Sequence, residues 1–106
     1  MDANDRMAKL EKMLEAEPDD TFCLYSLAQE HAKRDDHDRA IEYYDRVLAI
    51  DENYLYAYFH KAKSLEAVDR MDDAKAELQR GVARARQAGD DKALGELGEY
   101  LTTLNE

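Results

Sequence analysis

Turn-forming residues and cysteine are scarce in this sequence, whose 106 residues include one proline, four glycines and one cysteine. Many strands with tight turns would need more proline and glycine, so mainly helical structure is expected. Cys23 has no second cysteine to pair with, which fits a reducing cytoplasm. No apolar run approaches the roughly 20 residues that span a bilayer. The acidic residues 1–5 lack the apolar core of a secretion signal, so a cytoplasmic location is predicted.

Acidic residues outnumber basic ones by 25 to 15 and give a formal net charge of −10. Binding to DNA, RNA or an anionic membrane depends mainly on neutralising phosphates, so neither nucleic acid nor membrane is expected as a partner. The charge favours basic partners, or it only keeps the protein in solution, or it reflects a salt-rich cytoplasm whose ionic strength screens the self-repulsion. With 44% apolar and 38% charged residues, the composition predicts one globular domain over residues 1–106.

Residues of matching size recur at a fixed interval. Ala40 precedes Ala74 by 34 positions (74 − 40 = 34), and Asp35 precedes Asp69 by the same interval. The full series is Leu24, Ala28, Ala40, Tyr44 and Leu48, matched by Tyr58, Ala62, Ala74, Leu78 and Val82. Within each period the apolar residues are spaced by three and four, the pattern of amphipathic helices. The sequence therefore predicts a repeat of two helices per period.

Interruptions of this pattern predict where the helices end. The acidic segments 35–38 and 69–73 can cap the helices that follow them, and 51–53 and 89–91 can act in the same way. Pro18 ends an earlier helix. Helices are expected near residues 4–16, 20–34, 38–50, 53–68, 71–87 and 91–104.

A helical hairpin of this length, with small residues where the helices cross, resembles the tetratricopeptide repeat. The family motif is matched in the first period by Leu24, Leu27-Ala28, Ala40 and Tyr44, and in the second by Tyr58, Ala62, Leu65, Ala74 and Leu78. The resemblance implies an all-α fold of antiparallel helix hairpins stacked as a right-handed superhelical array with a terminal capping helix. It divides the single domain into a half repeat (4–20), repeat one (21–54), repeat two (55–88) and a capping helix (91–104).

Several positions depart from the family pattern: His31 replaces the usual aromatic residue, and Glu52 and Arg86 stand where proline is common. Lys61 stands where a buried leucine is usual, so either its ammonium extends outward from a packed stem or the helix is rotated. Arg6 stands where the family has alanine, although nothing in the sequence before it would crowd the larger side chain.

The sequence gives little support for a catalytic site or a metal site. Cys23 and His31 are eight residues apart, two helical turns, which is beyond hydrogen-bond reach. His31 occupies a packing position, and His37 is expected as a capping or surface residue. The acidic cluster 35–38 lacks the spacing of a calcium loop, and no paired Cys and His spacing indicates zinc. The prediction is a protein that is not an enzyme and has no cofactor or metal.

Aromatic residues at the starts of the first helices predict a binding surface. In this family the first helices of the hairpins line a concave groove that usually binds extended or helical peptides. Tyrosine and phenylalanine there offer large contact area at low entropic cost. The resemblance thus implies a protein or peptide partner in a groove lined by Phe22, Tyr25, Ser26, Gln29, Lys33, Tyr56, Phe59, His60, Lys63 and Lys92.

The three lysines of this set suggest a sharper hypothesis. Lys33, Lys63 and Lys92 would converge on one face of an acidic molecule and would hold a carboxylate or acidic side chain. Family members that bind chaperone tails use a clamp of Lys, Asn and Arg, but Tyr25 and Gln29 occupy its first two positions here, so chaperone-tail binding is not predicted. The competing interpretation treats these lysines as ordinary solvated helix residues.

Self-association is the alternative function. The first helix has no preceding partner in the array, so Met7, Leu10 and Met13 could be left for another copy of the chain. A homodimer formed through this helix or through the groove would cover them.

Overall fold

The computed structural model describes residues 3–106, so residues 1 and 2 of the predicted domain lie outside the described residues. It contains six helices and, within the described residues, no strand: α1 (Ala3–Ala16), α2 (Thr21–Lys33), α3 (His37–Ile50), α4 (Leu55–Ala67), α5 (Met71–Ala88) and α6 (Asp91–Leu104). The predicted helices are confirmed, each end falling within two residues of its expected position. The all-α hairpin fold is confirmed with them.

Within the described residues, acidic side chains cap three of the helices. The side chains of Asp20, Asp36 and Asp90 accept a hydrogen bond from a backbone amide in the first turn of α2, α3 and α6. In the described chain, α4 and α5 have Tyr54 and Arg70 at the capping position, and neither helix has a side-chain cap. The prediction of capping acids was wrong for these two helices, because the break places no acidic residue at the capping position itself.

The turn that follows each first helix of a hairpin is repeated in detail. Asp35 and Asp69 have positive φ values of 59° and 61°, a left-handed conformation that aspartate tolerates better than most residues. The next backbone amide then bonds back to the helix, from Asp36 to the carbonyl of His31 at 2.9 Å and from Arg70 to Leu65 at 2.8 Å. Aspartate therefore recurs after 34 residues, at positions 35 and 69, because both turns need a residue that tolerates the left-handed conformation.

Alanines and one glycine bring neighbouring helices close together. Ala28, Ala40, Ala62 and Ala74 are fully buried where helices meet. Gly81 of α5 lies so close to α4 that a Cβ atom there would come within 2.8 Å of the Tyr58 Cβ. The helices pack in chain order, and α4 also contacts both α2 and α6. The first helices α2, α4 and α6 thus form one continuous surface.

The N-terminal helix covers the start of the array. Met7 and Leu10 of α1 pack in one cluster with Cys23 and Leu27 of α2, while Met13 remains 45% exposed. Two of the three apolar residues that were expected to await another copy are therefore buried within the chain itself. Arg6 extends across to α2, where its guanidinium lies 3.0 Å from Glu30.

Lys61 is the departure from the family pattern that the structure explains most directly. Its ammonium lies 2.6 Å from Asp45 and 2.7 Å from Glu77, and its side chain is only 13% exposed. Burial disfavours the charged ammonium, yet the hydrogen bonds to Asp45 and Glu77 outweigh it and raise the pKa of Lys61. Of the two alternatives for Lys61, the outward-pointing ammonium was wrong, because two carboxylates on neighbouring helices hold the ammonium between them.

Candidate functional site

The single cysteine lies in the core between α1 and α2. Cys23 is fully buried, with its sulfur 3.8 Å from the Leu10 carbonyl oxygen. Burial, followed by the charges of Asp20 and Glu17, raises the pKa of its thiol, which disfavours the nucleophilic thiolate. His31 is 5% exposed and stacks on Tyr43, with 5.4 Å between the ring centres. Both residues therefore serve packing, as the sequence predicts for His31.

The described residues offer neither a cluster of metal ligands nor a membrane-spanning helix. No group of three or more His, Cys, Asp and Glu side chains within residues 3–106 has the arrangement of a metal site. Of the six helices, none combines the length and the apolar character needed to cross a membrane.

Aromatic rings run across the first helices without a break. Tyr25 of α2 lies 4.8 Å from Tyr54 and 5.9 Å from His60 of α4, measured between ring centres. On α4, His60 lies 5.4 Å from Phe59, which in turn lies 5.1 Å from Tyr100 of α6. We call these five residues, together with Tyr44 beneath Tyr25 and His60, the aromatic row. The row links all three first helices on one surface.

The aromatic row is less exposed than the sequence suggests. Tyr25, Phe59 and His60 are half-buried because the neighbouring first helices are close enough for their rings to pack together. Burial, with smaller contributions from Tyr54 and Tyr56, raises the pKa of Tyr25 to about 12. Burial, assisted by the charge of Lys63, lowers the pKa of His60, which favours its neutral form. The row therefore presents ring edges and faces in a partly desolvated groove.

An open cleft of about 320 Å³ lies between α2 and α4, beside the aromatic row. We call it the cationic cleft, since two lysines stand on it and none of the described residues that line it is acidic. Its lining comprises Gln29, Ala32, Lys33, His37, Tyr44, His60, Lys63 and Ser64. Deep in the cleft, the His37 Nδ1 atom lies 3.0 Å from the hydroxyl of Ser64, which is 1% exposed. The exposed surface of the cleft is thus mainly apolar, with the positive charge of Lys33 and Lys63 at its entrance.

A second cavity, of about 440 Å³, lies between α4 and α6. Phe59 and Lys63 form one side and Tyr100 the other, with Glu96 and Glu99 at the rim. The Tyr100 hydroxyl donates a 2.6 Å hydrogen bond to Glu66, and burial together with that carboxylate raises the pKa of Tyr100. Carboxylates at this rim give the second cavity the opposite charge to the cationic cleft.

The residues predicted for the groove fall into two groups. Tyr25, Gln29, Lys33, Phe59, His60 and Lys63 line the cationic cleft or belong to the aromatic row. Phe22 is 64% exposed one turn before Tyr25, and Ser26 is half-buried on α2. Burial, followed by the nearby carboxylate of Glu96, raises the pKa of Tyr56. Lys92 is exposed in the first turn of α6, outside the lining of both cavities.

The sequence analysis did not assign several residues of this surface to the groove, among them His37, Tyr54, Ser64 and Tyr100. Helical spacing offered a signal for two of them, because Ser64 follows His60 by four residues and Tyr100 follows Glu96 by four. His37 gave no such signal, since it opens a second helix and enters the cleft only through the left-handed turn at Asp35.

Comparison with known proteins gives a consistent result. The family model for the tetratricopeptide repeat matches residues 22–54. None of the curated proteins compared with the chain matches it significantly. Among solved structures, PcrH in complex with the chaperone-binding region of PopD has a TM-score of 0.89 at 15% identity, covering 97% of this chain and 78% of that one. The TPR2B domain of yeast Sti1 in complex with pHsp70 has a TM-score of 0.88 at 18% identity, covering 97% and 82%.

A nearer relative is a tetratricopeptide repeat domain protein from Salinibacter ruber, solved by NMR. It is 36% identical, with a TM-score of 0.77, over 83% of this chain and 89% of that one. Proteins can share this architecture at 15% to 18% identity, so an identity of 36% over most of both sequences indicates more than a common architecture. Together with the repeat and the stacked hairpins, it shows that the chain belongs to the tetratricopeptide repeat family.

Proposed function

We propose that the chain is a non-catalytic protein-interaction module that binds a peptide or a protein segment in the groove along α2, α4 and α6. The observation that carries this proposal is the aromatic row, which spans the three helices and is flanked by two open cavities. Rings in such a position give a partner large apolar contact without much loss of side-chain entropy.

Two structures of the same fold support the proposal. PcrH was solved with a region of PopD, and the yeast Sti1 domain was solved with pHsp70. Both show that stacked hairpins of this shape can bind another polypeptide. Their low identity to this chain gives no basis for transferring either partner.

The experiment is a selection from a random peptide library with the purified domain, followed by affinity measurements on the selected peptides. Phe59→Leu keeps an apolar side chain but removes the ring that connects His60 to Tyr100. We expect at least about tenfold weaker binding by this variant. Met13→Ala, which truncates an exposed side chain on α1, is the matched control and should bind as the native domain does.

Thermal melting of both variants checks that they fold. A folded Phe59→Leu domain that binds the selected peptides as tightly as the native domain contradicts the groove. Peptides whose binding depends on Met13 instead would place the interaction on α1.

Self-association remains the second candidate, and Met13 is the observation that favours it. Its side chain is 45% exposed on α1, whereas Met7 and Leu10 are buried against α2. The apolar surface that Met13 exposes is much smaller than the surface expected from Met7, Leu10 and Met13 together.

A further inference from the structure

The cavity between α4 and α6 combines aromatic walls with carboxylates. Phe59 and Tyr100 form the walls, with 5.1 Å between their ring centres, and Glu96 and Glu99 stand on the same lining. Most of the surface that this cavity exposes is apolar. A third carboxylate, that of Glu66, accepts a 2.6 Å hydrogen bond from the Tyr100 hydroxyl. Such a recess suits a ligand group that is cationic and only weakly hydrated.

The chain itself does not neutralise these carboxylates. Within residues 3–106, none of Glu66, Glu96 and Glu99 forms an ion pair with a lysine, arginine or histidine. The contrast is with the buried glutamates Glu30 and Glu77, each of which lies beside two cationic side chains. Glu66 and Glu96 are half-buried as well. The cavity therefore keeps a negative potential that an external cation can meet.

Lys63 marks the place in this cavity where a cation lies. Its ammonium is 5.4 Å from the centre of the Phe59 ring, a cation–π contact, and the residue belongs to the lining. The side chain is exposed and, in the part of the chain that the structure describes, forms no ion pair. A guanidinium can stack on the same ring and also form two parallel hydrogen bonds to a carboxylate, so it binds there more strongly than this ammonium does.

The rest of the molecule favours the same ligand charge. The formal net charge of −10 attracts cationic segments from a distance and repels acidic ones. The cavity adjoins the aromatic row, to which both Phe59 and Tyr100 belong. A segment whose apolar side chains lie on the row can therefore direct a basic side chain into the cavity. Long-range attraction and the local carboxylates thus select for the same kind of partner.

We propose, resting on the function proposed above, that the cavity between α4 and α6 takes an arginine side chain of the bound segment, with the guanidinium on the Phe59 ring and hydrogen-bonded to Glu96 or Glu99. Lys63 occupies the place over Phe59 in the unbound domain and leaves it when the arginine binds. A lysine of the segment binds more weakly, because an ammonium is more strongly hydrated and does not form the paired hydrogen bonds. The partner is thus a segment with apolar residues and an arginine.

The test measures binding of the native domain to immobilised peptide libraries that are blocked at both ends. One position is fixed as arginine, lysine or citrulline, and the other positions are random. Citrulline has the shape of arginine without its charge, so the comparison isolates the effect of the cation. We expect the arginine set to bind about fivefold more tightly than the citrulline set at one position, with the lysine set between them.

Variants of the two lining glutamates connect that preference to the cavity. Glu96→Gln/Glu99→Gln keeps the size of both side chains but removes their charge, and it should abolish the preference for arginine. Glu11→Gln/Glu15→Gln makes the same change in net charge on the exposed face of α1. This second double variant is the matched control, and we expect it to retain the native preference.

Lys63 gives a prediction of the opposite sign. Lys63→Gln removes the cation that competes for the Phe59 ring, so the arginine set should bind about threefold more tightly than it binds the native domain. Lys12→Gln removes the same charge from an exposed position on α1 and is the matched control. An effect of net charge alone would change the affinity of both variants equally.

The outcomes separate this inference from the function on which it rests, and thermal melting checks that every variant folds. Binding that depends on Phe59 but shows no preference for arginine over citrulline overturns the arginine site and leaves the groove. The same conclusion follows if the variant of Glu96 and Glu99 acts no more strongly than its control on α1, or if Lys63→Gln acts no more strongly than Lys12→Gln. Absence of binding to every library overturns the groove and the arginine site together.

Discussion

At the scale of single residues, Lys61 shows how a polar side chain can replace a core leucine. Its stem crosses between α3 and α5, and its ammonium joins Asp45 to Glu77, which is itself held by Arg80. The Glu77 side chain is only 8% exposed. The buried carboxylate of Glu77 is poorly hydrated, so it depends on its ion pairs. Without Lys61 it would keep only one of its two cationic partners.

Lys61→Met tests this dependence. The substitution preserves the length and apolar volume of the stem but leaves Glu77 with Arg80 alone. We expect the free energy of unfolding to fall by about 1–3 kcal/mol, measured by urea denaturation at neutral pH. The double variant Lys61→Met/Glu77→Met should recover most of the loss, because no buried charge is then left without its partner.

The pH dependence gives an independent check on the same ion pair. Since the pKa of Lys61 is raised in the folded protein, its stabilisation is complete below the ordinary lysine pKa and is lost as the pH rises through the folded value. The difference between native and Lys61→Met domains should therefore disappear in strongly alkaline solution. A difference that is unchanged there would mean that packing, not charge, accounts for the effect.

The residue scale is also where sequence-based prediction fails most clearly. A lysine at a leucine position indicates a departure, but its partners lie on two other helices at residues 45 and 77, and no periodicity connects them. His37 is similar, because its approach to Ser64 depends on how the turn at Asp35 directs α3. The positions of both side chains are determined by contacts between different helices, which the sequence pattern does not reveal.

At the scale of elements, the approach of α5 to α4 is controlled by one glycine. Gly81 allows the α5 backbone to lie against Tyr58, where a Cβ atom would come within 2.8 Å of a rigidly placed Cβ and within 3.1 Å of the ring. Helices whose side chains interlock at this distance cannot separate locally without disturbing their other contacts.

Gly81→Ala should consequently destabilise the domain by about 1–3 kcal/mol, since the added methyl forces α4 and α5 apart. Gly95→Ala is the matched control: the same change in the middle of α6, where the new Cβ meets no described neighbour within 4 Å. There it should stabilise by about 0.5–1 kcal/mol, through better helix propensity. Chemical denaturation measures the free energy of unfolding of both variants. An equal loss of stability at both positions would contradict a special role for Gly81.

Elements were the most predictable level of this structure. The recurring apolar spacing marks the six helices, and the acidic or proline-containing breaks mark their ends. The groove was predictable as a surface of first helices because Gln29, Lys33, His60 and Lys63 share helical faces. Its aromatic packing was not, since the depth at which Tyr25 and Phe59 lie depends on the distance between helices.

At the scale of the whole molecule, the burial of α1 bears on the number of copies in solution. With Met7 and Leu10 covered by α2, α1 offers Met13 as its large exposed apolar residue within the described chain. One such side chain is far short of the area that a stable dimer interface buries. The net charge of −10 adds repulsion between copies.

We therefore expect a monomer of 12.2 kDa by light scattering coupled to size-exclusion chromatography, from micromolar to millimolar concentration. Met13→Glu should leave that mass unchanged. A mass that rises with concentration in the native domain but not in Met13→Glu would favour the self-association alternative through α1.

The order in which the helices pack has a further consequence for how the chain reaches this structure. Each helix packs on its neighbours in the chain, and the longest-range helix contacts join α2 to α4 and α4 to α6. Little loop-closure entropy opposes such contacts, so the search for the native state is short and does not depend on distant segments meeting. Any one hairpin can act as the folding nucleus from which the rest propagates, and loss of structure can begin at either terminus while the middle of the array remains intact.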